Sequence, residues 1–239
     1  MTAMPDRSTG LGLIEIMVAI ALGLFLVASV AALVVGQLAE QRRLLLESRL
    51  NQDLRATADL IVRDLRRAGH WGSAERGVWS GGPTAPAANP YAGLHPGADT
   101  AAASLGYSYS RDTTEDQASG NAEKFGFRIN TNTRAFELRL AGNDITPGNG
   151  DQWQALTDPA LLRVTRWQVR HESRSVSLLG HCAIPVCPTG SSTCPPTVRL
   201  RQVHIELDAT DARDSSVQRS LVTRVRLRND EVSGACPGA

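Results

Sequence analysis

The sequence has 239 residues, of which 42% are hydrophobic and 21% are charged, so it is long enough for one globular domain and an additional segment. Its 25 basic and 24 acidic residues leave a formal net charge of +1, which argues against a general nucleic-acid binder because the chain has no overall basic field. Lys124 is the single lysine, which excludes most chemistry that depends on a reactive lysine.

An uninterrupted apolar run extends from Leu11 to Gly36, and Glu15 is its one ionisable residue. About 20 such residues are enough for a helix to cross the hydrocarbon layer of a bilayer, so the run predicts a membrane-inserted helix. A secretory signal peptide has an apolar region of roughly 7–15 residues, which is shorter than this run. A plain signal anchor explains the length but not Glu15, because a carboxylate within a bilayer costs about 2–3 kcal/mol or more.

A short polar leader, residues 1–10, ends at Gly10 and is followed by Leu-Gly-Leu-Ile-Glu, which places Leu11 first and Glu15 fifth. This junction resembles the type III signal of type IV pilins, although Leu11 stands where phenylalanine is usual. The resemblance implies that prepilin peptidase cuts after Gly10 and that the new N-terminus at Leu11 is methylated. It also implies a single-pass inner-membrane protein whose C-terminal domain lies in the periplasm and which is incorporated into the pilus at the cell surface.

In this resemblance, Glu15 corresponds to the glutamate that pairs subunits during assembly. A carboxylate buried among apolar helices in a filament core is unfavourable unless a cation lies beside it, and the amine at Leu11 of a neighbouring subunit is such a cation. In the alternative interpretation, the Glu15 carboxylate reaches the membrane interface near the helix start, where the helix dipole also favours it.

The helix is predicted to continue beyond the apolar run, because an apolar stripe persists at spacings of three and four residues. The stripe consists of Leu46, Leu50, Leu54, Ala58, Ile61, Leu65 and Ala68. No proline occurs from Leu11 to Gly69, and Gly69 is suited to end the helix. We expect residues 11–38 to form a membrane and filament-core half, and residues 39–69 an amphipathic half, of one helix about 85 Å long. A long coiled coil is the alternative, but strict heptads are not sustained.

Two further stretches carry a family resemblance. The helix ends with Arg-Asp-Leu-Arg-Arg-Ala-Gly-His-Trp-Gly, from Arg63 to Gly72, and the last predicted strand ends with Thr-Arg-Val-Arg-Leu-Arg-Asn, from Thr223 to Asn229. Both resemble minor pilins of the PilW type, and the first is also close to the helix end of J-type pseudopilins. The resemblance implies a minor pilin that helps to prime type IV pilus assembly as part of a minor-pilin complex in the inner membrane and at the pilus tip.

The partners that this resemblance implies are other minor pilins, the major pilin, prepilin peptidase and the inner membrane. Two alternatives remain open at this stage. One is a J-type pseudopilin of a type II secretion system, which would share the processing signal and the helix. The other is a signal-anchored extracytoplasmic enzyme or ligand-binding domain, which would keep its full N-terminus.

Residues 70–239 are expected to form the globular β-domain of an α+β, type IV pilin-like fold, in which the long N-terminal helix packs on a C-terminal antiparallel sheet. Gly and Pro are frequent within residues 73–121, which predicts a long loop, and Trp71 is expected to pack this loop back onto the helix. Strand-like patterns occupy residues 124–130, 134–141, 161–172, 175–179, 197–208 and 218–229. The last two predict an antiparallel hairpin, and a change of phase between Leu200 and Val203 predicts a β-bulge.

Four cysteines, Cys182, Cys187, Cys194 and Cys236, could form disulfides or a zinc site. Zinc sites usually contain two closely spaced Cys pairs, which this spacing does not provide. A domain outside the cytoplasm favours oxidation, so we expect disulfides. Four cysteines allow three connectivities. Because the hairpin brings its two ends together, Cys194–Cys236 with Cys182–Cys187 is the preferred pairing.

Motifs for catalysis are weak in this sequence. The five histidines are scattered, and the common hydrolase, metalloprotease, dinucleotide and P-loop patterns are missing. Residues 143–151 are rich in oxygen ligands but lack the spacing of an EF-hand, which favours a polar turn over a calcium site. We therefore expect no enzymatic activity, no cofactor, no metal and no specific small-molecule substrate. The balanced charge argues against a nucleic-acid partner, and the sequence leaves direct DNA binding open.

Overall fold

A computed structural model describes residues 12–238 of the chain. The chain divides into two compact units, of which the first ends at Leu46 and the second begins at Glu47. One long helix, α1, spans Leu13–Leu65 and contributes to both units. Leucine and alanine, which have high helix propensity, are frequent in α1, and no proline interrupts it. In the second unit its buried face consists of Leu50, Leu54, Ala58, Ile61 and Leu65, which are members of the predicted stripe.

The helix ends through a tight turn at Gly69. Ala68 and Arg67 donate backbone hydrogen bonds to carbonyls three residues earlier, so the last predicted turn is not α-helical. Gly69 has a φ of +74°, which glycine adopts readily, and its N–H donates to the Ser108 carbonyl at 2.8 Å. A β-carbon on Gly69 would lie 3.2 Å from the guanidinium of Arg201, so the site requires glycine for its backbone conformation and has little space for a side chain.

The described part of the second unit contains ten strands. They are β1 (Leu94–His95), β2 (Ala101–Ala102), β3 (Ser104–Ser108), β4 (Lys124–Ile129), β5 (Phe136–Ala141), β6 (Gln152–Ala155), β7 (Leu162–Ser177), β8 (Thr197–Asp211), β9 (Gln218–Arg226) and β10 (Glu231–Ser233). They form two antiparallel sheets rather than the single sheet that we expected. The first sheet has the order β1-β3-β4-β5-β6, and the second has the order β10-β8-β7-β2, with β9 also paired to β8.

Strands β9 and β10 lie one after the other along the same edge of β8. Strand β7 pairs with the whole length of β8, which leaves a single edge for other strands. Along that edge β9 pairs with residues 202–210 and β10 with residues 197–199. The predicted hairpin of β8 and β9 is therefore present, and the chain then returns as β10 to extend the same edge.

The core combines an aromatic part and an aliphatic part. Tyr107, Phe127 and Phe136 are fully buried on the first sheet, and the Phe136 ring meets the edge of Trp167 at 4.8 Å between centroids. On the second sheet, alternate residues of β8 are buried, as expected for a strand with one face on a core: Val203, Ile205, Leu207 and Ala209.

Three sequence predictions about strands require correction. Residues 73–121 are not a continuous loop, because they contain β1, β2 and the buried strand β3. The stretches at 161–172 and 175–179 form one strand, β7, since β8 provides backbone partners through Ser177. The bulge predicted between Leu200 and Val203 is absent, and the register shift lies in β7 between Val164 and Arg166.

Arg201 explains the apparent change of phase in β8. It is 4% exposed and occupies a core-side position in phase with Val203. A charged residue at a buried position breaks the apolar alternation in the sequence without changing the strand. The strand therefore runs regularly through this point.

Candidate assembly site

The first unit exposes a long apolar helix surface. Every residue from 13 to 45 is exposed, and α1 is long and apolar enough over this part to cross a membrane. Each exposed apolar side chain loses roughly 25 cal/mol of favourable transfer free energy per Å² that stays in water. The exposed large apolar residues include Leu13, Ile14, Ile16, Met17, Val18, Ile20, Leu22, Leu24, Phe25 and Leu26. This surface therefore needs a lipid or protein partner.

Glu15 lies in the first turn of α1, within this apolar surface. Its carboxylate accepts a hydrogen bond from the Gly12 N–H at 3.1 Å, and its side chain is exposed. This contact satisfies one of the free N–H groups at the helix start, where a negative charge is also favoured. This position at the helix start is compatible with a carboxylate that reaches the membrane interface. The carboxylate is also accessible to another subunit. The predicted cleavage residues, Gly10 and Leu11, lie outside the described residues, so pairing of Leu11 with Glu15 stays a prediction.

In the second unit, side chains from three segments fix the end of α1. The side-chain amide of Asn229 donates to the Ala68 carbonyl at 2.9 Å, and Arg201 Nη2 donates to the Asn229 carbonyl at 2.8 Å. Asn89 Nδ2 donates to the Gly69 carbonyl at 2.8 Å. The two sequence stretches that carry the family resemblance thus meet at the helix end. Sequence reasoning did not assign a role to Arg201 or to Asn89.

The same helix end is held by Tyr107 of β3 and by Tyr109, which directly follows that strand. The buried hydroxyl of Tyr107 donates to the Asp64 carboxylate. Burial, supported by the nearby Asp64 charge, raises the pKa of Tyr107, so the phenol keeps the proton that it donates. The guanidinium of Arg67 lies 4.2 Å from the centroid of the Tyr109 ring and 3.5 Å from Asp64. Within Arg63–Gly72, Asp64 and Arg67 therefore attach α1 to the sheet.

Glu115 accepts several hydrogen bonds that hold the segment after the helix in place. Its two carboxylate oxygens accept hydrogen bonds from the Gly72 N–H at 2.9 Å, the Tyr91 hydroxyl at 2.9 Å and the Gln117 N–H at 3.0 Å. Burial opposes ionisation of Glu115, but the hydrogen bonds that it accepts outweigh this and lower its pKa. Trp71 is 4% exposed and packs against Gly77 of the segment that follows the helix, and its packing against the helix stays a prediction.

The four cysteines form two disulfides, but the preferred pairing was wrong. Cys182 is bonded to Cys236, and Cys187 is bonded to Cys194. The hairpin does bring the two segments together, since the Ala235 N–H donates to the Thr193 carbonyl, but Cys236 is bonded to Cys182 and Cys194 to Cys187.

The polar turn predicted at 143–151 surrounds a buried arginine. Arg139 is fully buried, forms an ion pair with Asp151 at 2.8 Å, and donates to the Asp144 and Ile145 carbonyls. A β-carbon on Gly142 would overlap the Arg139 guanidinium. Oxygen atoms of this turn therefore bind the Arg139 guanidinium. Among the described residues, a carboxylate cluster that could hold a metal consists of Asp112, Glu115 and Asp116, whose members are half-buried or exposed.

Comparison with known protein families gives one match. A family model described as prepilin peptidase-dependent protein B, PpdB, matches residues 43–227. The chain belongs to this family. The region of the PpdB match includes the amphipathic end of α1 and strands β1–β9, but not Glu15. A comparison with curated proteins found no match, and neither did a comparison with solved structures.

Membership of the PpdB family and the fold agree with each other. A long N-terminal helix followed by antiparallel sheets is the α+β, pilin-like architecture that the sequence predicted. The PpdB description refers to dependence on prepilin peptidase, the enzyme implied by the leader sequence. The protein is therefore a type IV pilus-related, pilin-like protein with an apolar helix compatible with a single membrane anchor.

Proposed function

We propose that the protein is a minor pilin of the PilW type that helps to prime type IV pilus assembly. The observation that carries this proposal is the apolar surface of α1 with Glu15 in its first turn. Such a surface has to be covered, and a bundle of similar helices covers it after the protein leaves the bilayer. Membership of the PpdB family and the resemblance at Arg63–Gly72 and Thr223–Asn229 support the assignment.

The proposed sequence of events begins in the inner membrane. Prepilin peptidase removes residues 1–10 by cutting the Gly10–Leu11 bond, and the amine of Leu11 is methylated. The Glu15 carboxylate then exchanges its hydrogen bond with the Gly12 N–H for an ion pair with the Leu11 amine of a neighbouring subunit. In a water-free helix bundle this ion pair is stronger than in water, so it fixes the axial register of the two subunits.

The sheet unit is proposed to lie in the periplasm and to provide contacts rather than catalysis. Two disulfides, with no free cysteine in the described chain, suit an oxidising compartment. Three contacts hold the sheets on the part of the helix that belongs to the second unit. They are the ion pair of Arg219 with Glu47, the hydrogen bond from Asn229 to the Ala68 carbonyl, and the buried stripe of α1.

The experiment is complementation of a deletion strain with the wild-type gene, Glu15→Ala or Glu40→Ala. Glu40 is the matched control, because it is an exposed glutamate of the same helix beyond the apolar run. We expect Glu15→Ala to accumulate in the membrane and fail to restore sheared surface pili, whereas Glu40→Ala restores them. Normal piliation by Glu15→Ala contradicts the pairing role. A deletion that blocks protein secretion and leaves piliation intact contradicts the pilus assignment and favours the J-type pseudopilin.

A further inference from the structure

Strand β9 and the end of α1 form a groove lined by four arginines. Its residues are Arg66, Arg224, Val225, Arg226, Leu227 and Arg228, which we call the arginine groove. No carboxylate is among its lining residues in the described chain. Arg226 pairs with Asp230 at 2.8 Å, whereas Arg66, Arg224 and Arg228 form no ion pair with any described residue. Three of the four groove arginines therefore lack an ion-pair partner in the described chain.

The positions of these arginines are fixed by the strand. Exposure alternates from Arg224 to Arg228, and Val225 and Leu227 are buried between the three exposed arginines. Pairing with β8 holds residues 218–226, and the Leu227 N–H donates to the Arg201 carbonyl at 3.1 Å. Alternate residues of a strand are about 6.8 Å apart, so the side chains of Arg224 and Arg226 start at this spacing, and Arg228 follows in the bend just after β9.

Carboxylates lie beside the groove on the outward face of β7 and β8. Arg166 lies 2.7 Å from Glu206, Arg170 lies 3.8 Å from Glu172, and both glutamates line one pocket with Arg224. A broad polyanion laid over the groove would also cover these carboxylates and be repelled by them. A narrow ligand with carboxylates at the repeat of an extended chain matches the row of arginines without meeting the acidic neighbours.

We propose that the arginine groove binds an extended acidic segment of another polypeptide, in which carboxylates occur at every second residue. The outward guanidinium groups of Arg224, Arg226 and Arg228 would each receive one carboxylate, and Arg66 would close the groove from the helix side. This inference does not depend on the proposed function, because it involves neither Glu15 nor the N-terminus. Its failure leaves the minor-pilin proposal unchanged.

The test measures binding of labelled nine-residue peptides to the full-length chain in detergent, by fluorescence anisotropy. One peptide alternates Glu and Thr, and a second has the same composition with the Glu residues in one block. We expect the alternating peptide to bind at least about tenfold more tightly than the block peptide. The double variant Arg224→Glu with Arg228→Glu should weaken its binding at least about tenfold.

A matched variant, Arg163→Glu with Arg213→Glu, reverses two exposed charges outside the groove and should leave binding unchanged. Circular dichroism checks that both variants are folded. Equal affinity for the two peptides, or equal losses in the two variants, overturns the proposal. Binding of single-stranded oligodeoxythymidine or phosphatidylglycerol vesicles that requires Arg224 and Arg228, without binding of the alternating peptide, also overturns it and assigns the groove to phosphate chemistry.

Discussion

Asn229, the last residue of the stretch Thr223–Asn229, contacts the end of the helix, because its side-chain amide donates to the Ala68 carbonyl at 2.9 Å. The Asn229 backbone carbonyl accepts from Arg201 at 2.8 Å. Residues 161 positions apart in sequence thus close the fold at one point. The two stretches that resemble minor pilins therefore meet in the folded chain.

Replacing Asn229 by alanine should remove the hydrogen bond to Ala68 and leave the backbone contact with Arg201. We expect the free energy of unfolding to fall by about 1–2 kcal/mol, since the Ala68 carbonyl loses its side-chain donor. Denaturant unfolding of the full-length chain in detergent, followed by tryptophan fluorescence, measures this change. Asn132→Ala, at an exposed turn residue, is the control. Equal stability of the two variants would show that the hydrogen bond from Asn229 to the Ala68 carbonyl contributes nothing.

Asp151→Ala should be one of the most damaging substitutions in the sheet unit. It leaves the fully buried Arg139 guanidinium without its carboxylate, which typically costs about 3–5 kcal/mol. Replacing both partners, Arg139→Met with Asp151→Leu, should restore much of the loss because no unpaired charge is then buried. Thermal unfolding of the wild type, of Asp151→Ala and of the double variant tests this order of stability. A double variant that is less stable than Asp151→Ala would contradict the explanation.

The two disulfides should differ in their contribution to stability. Cys182–Cys236 closes a loop with a sequence separation of 54, whereas Cys187–Cys194 closes one of 7. Chain entropy then makes the loss from Cys182→Ser with Cys236→Ser larger by about 2 kcal/mol than that from Cys187→Ser with Cys194→Ser. Denaturant unfolding of the two double variants measures the difference. Peptide mapping without reduction tests the connectivity itself, and a peptide that links Cys194 to Cys236 would contradict it.

Stability of the sheet unit should fall in acid because of Glu115. Its pKa is lowered in the folded chain, so the unfolded chain binds protons first as the pH falls, and the stabilisation present at neutral pH is lost below about pH 5. Glu115→Gln should be less stable at pH 7, and the gap to the wild type should narrow in acid. Glu75→Gln, at an exposed residue, is the control for this pH series. A difference in stability between Glu115→Gln and the wild type that does not change with pH would show that the substitution acts through packing alone.

The elements that could be predicted are those whose residues alternate or repeat with one clear period. The apolar stripe of α1 predicted the buried face that the structure shows, and the pattern over residues 218–229 predicted the strand that forms β9. Glycine at residue 69 marked the helix end because few other residues adopt its φ. In each of these elements one face is buried and the other is exposed, so the sequence pattern follows directly from the packing.

The elements that could not be predicted lack this contrast. Strand β3, Ser104–Ser108, is buried on both faces along most of its length and contains Gly106, so it shows no alternation within a Gly- and Pro-rich stretch. Arg201 is a charged residue at a core position, which local patterns cannot distinguish from a bulge. The cysteine pairing depended on β10, which has only three residues and gives no periodic signal.

The most direct test of the account is the mass of the N-terminal peptide of the protein purified from its own inner membrane. Intersubunit pairing of Glu15 requires an amine at Leu11, which exists only after the leader has been removed. We expect the peptide to begin at Leu11 and to carry one methyl group on its amine. A mature protein that still begins at Met1, or one cut at a site remote from Gly10, would contradict the account.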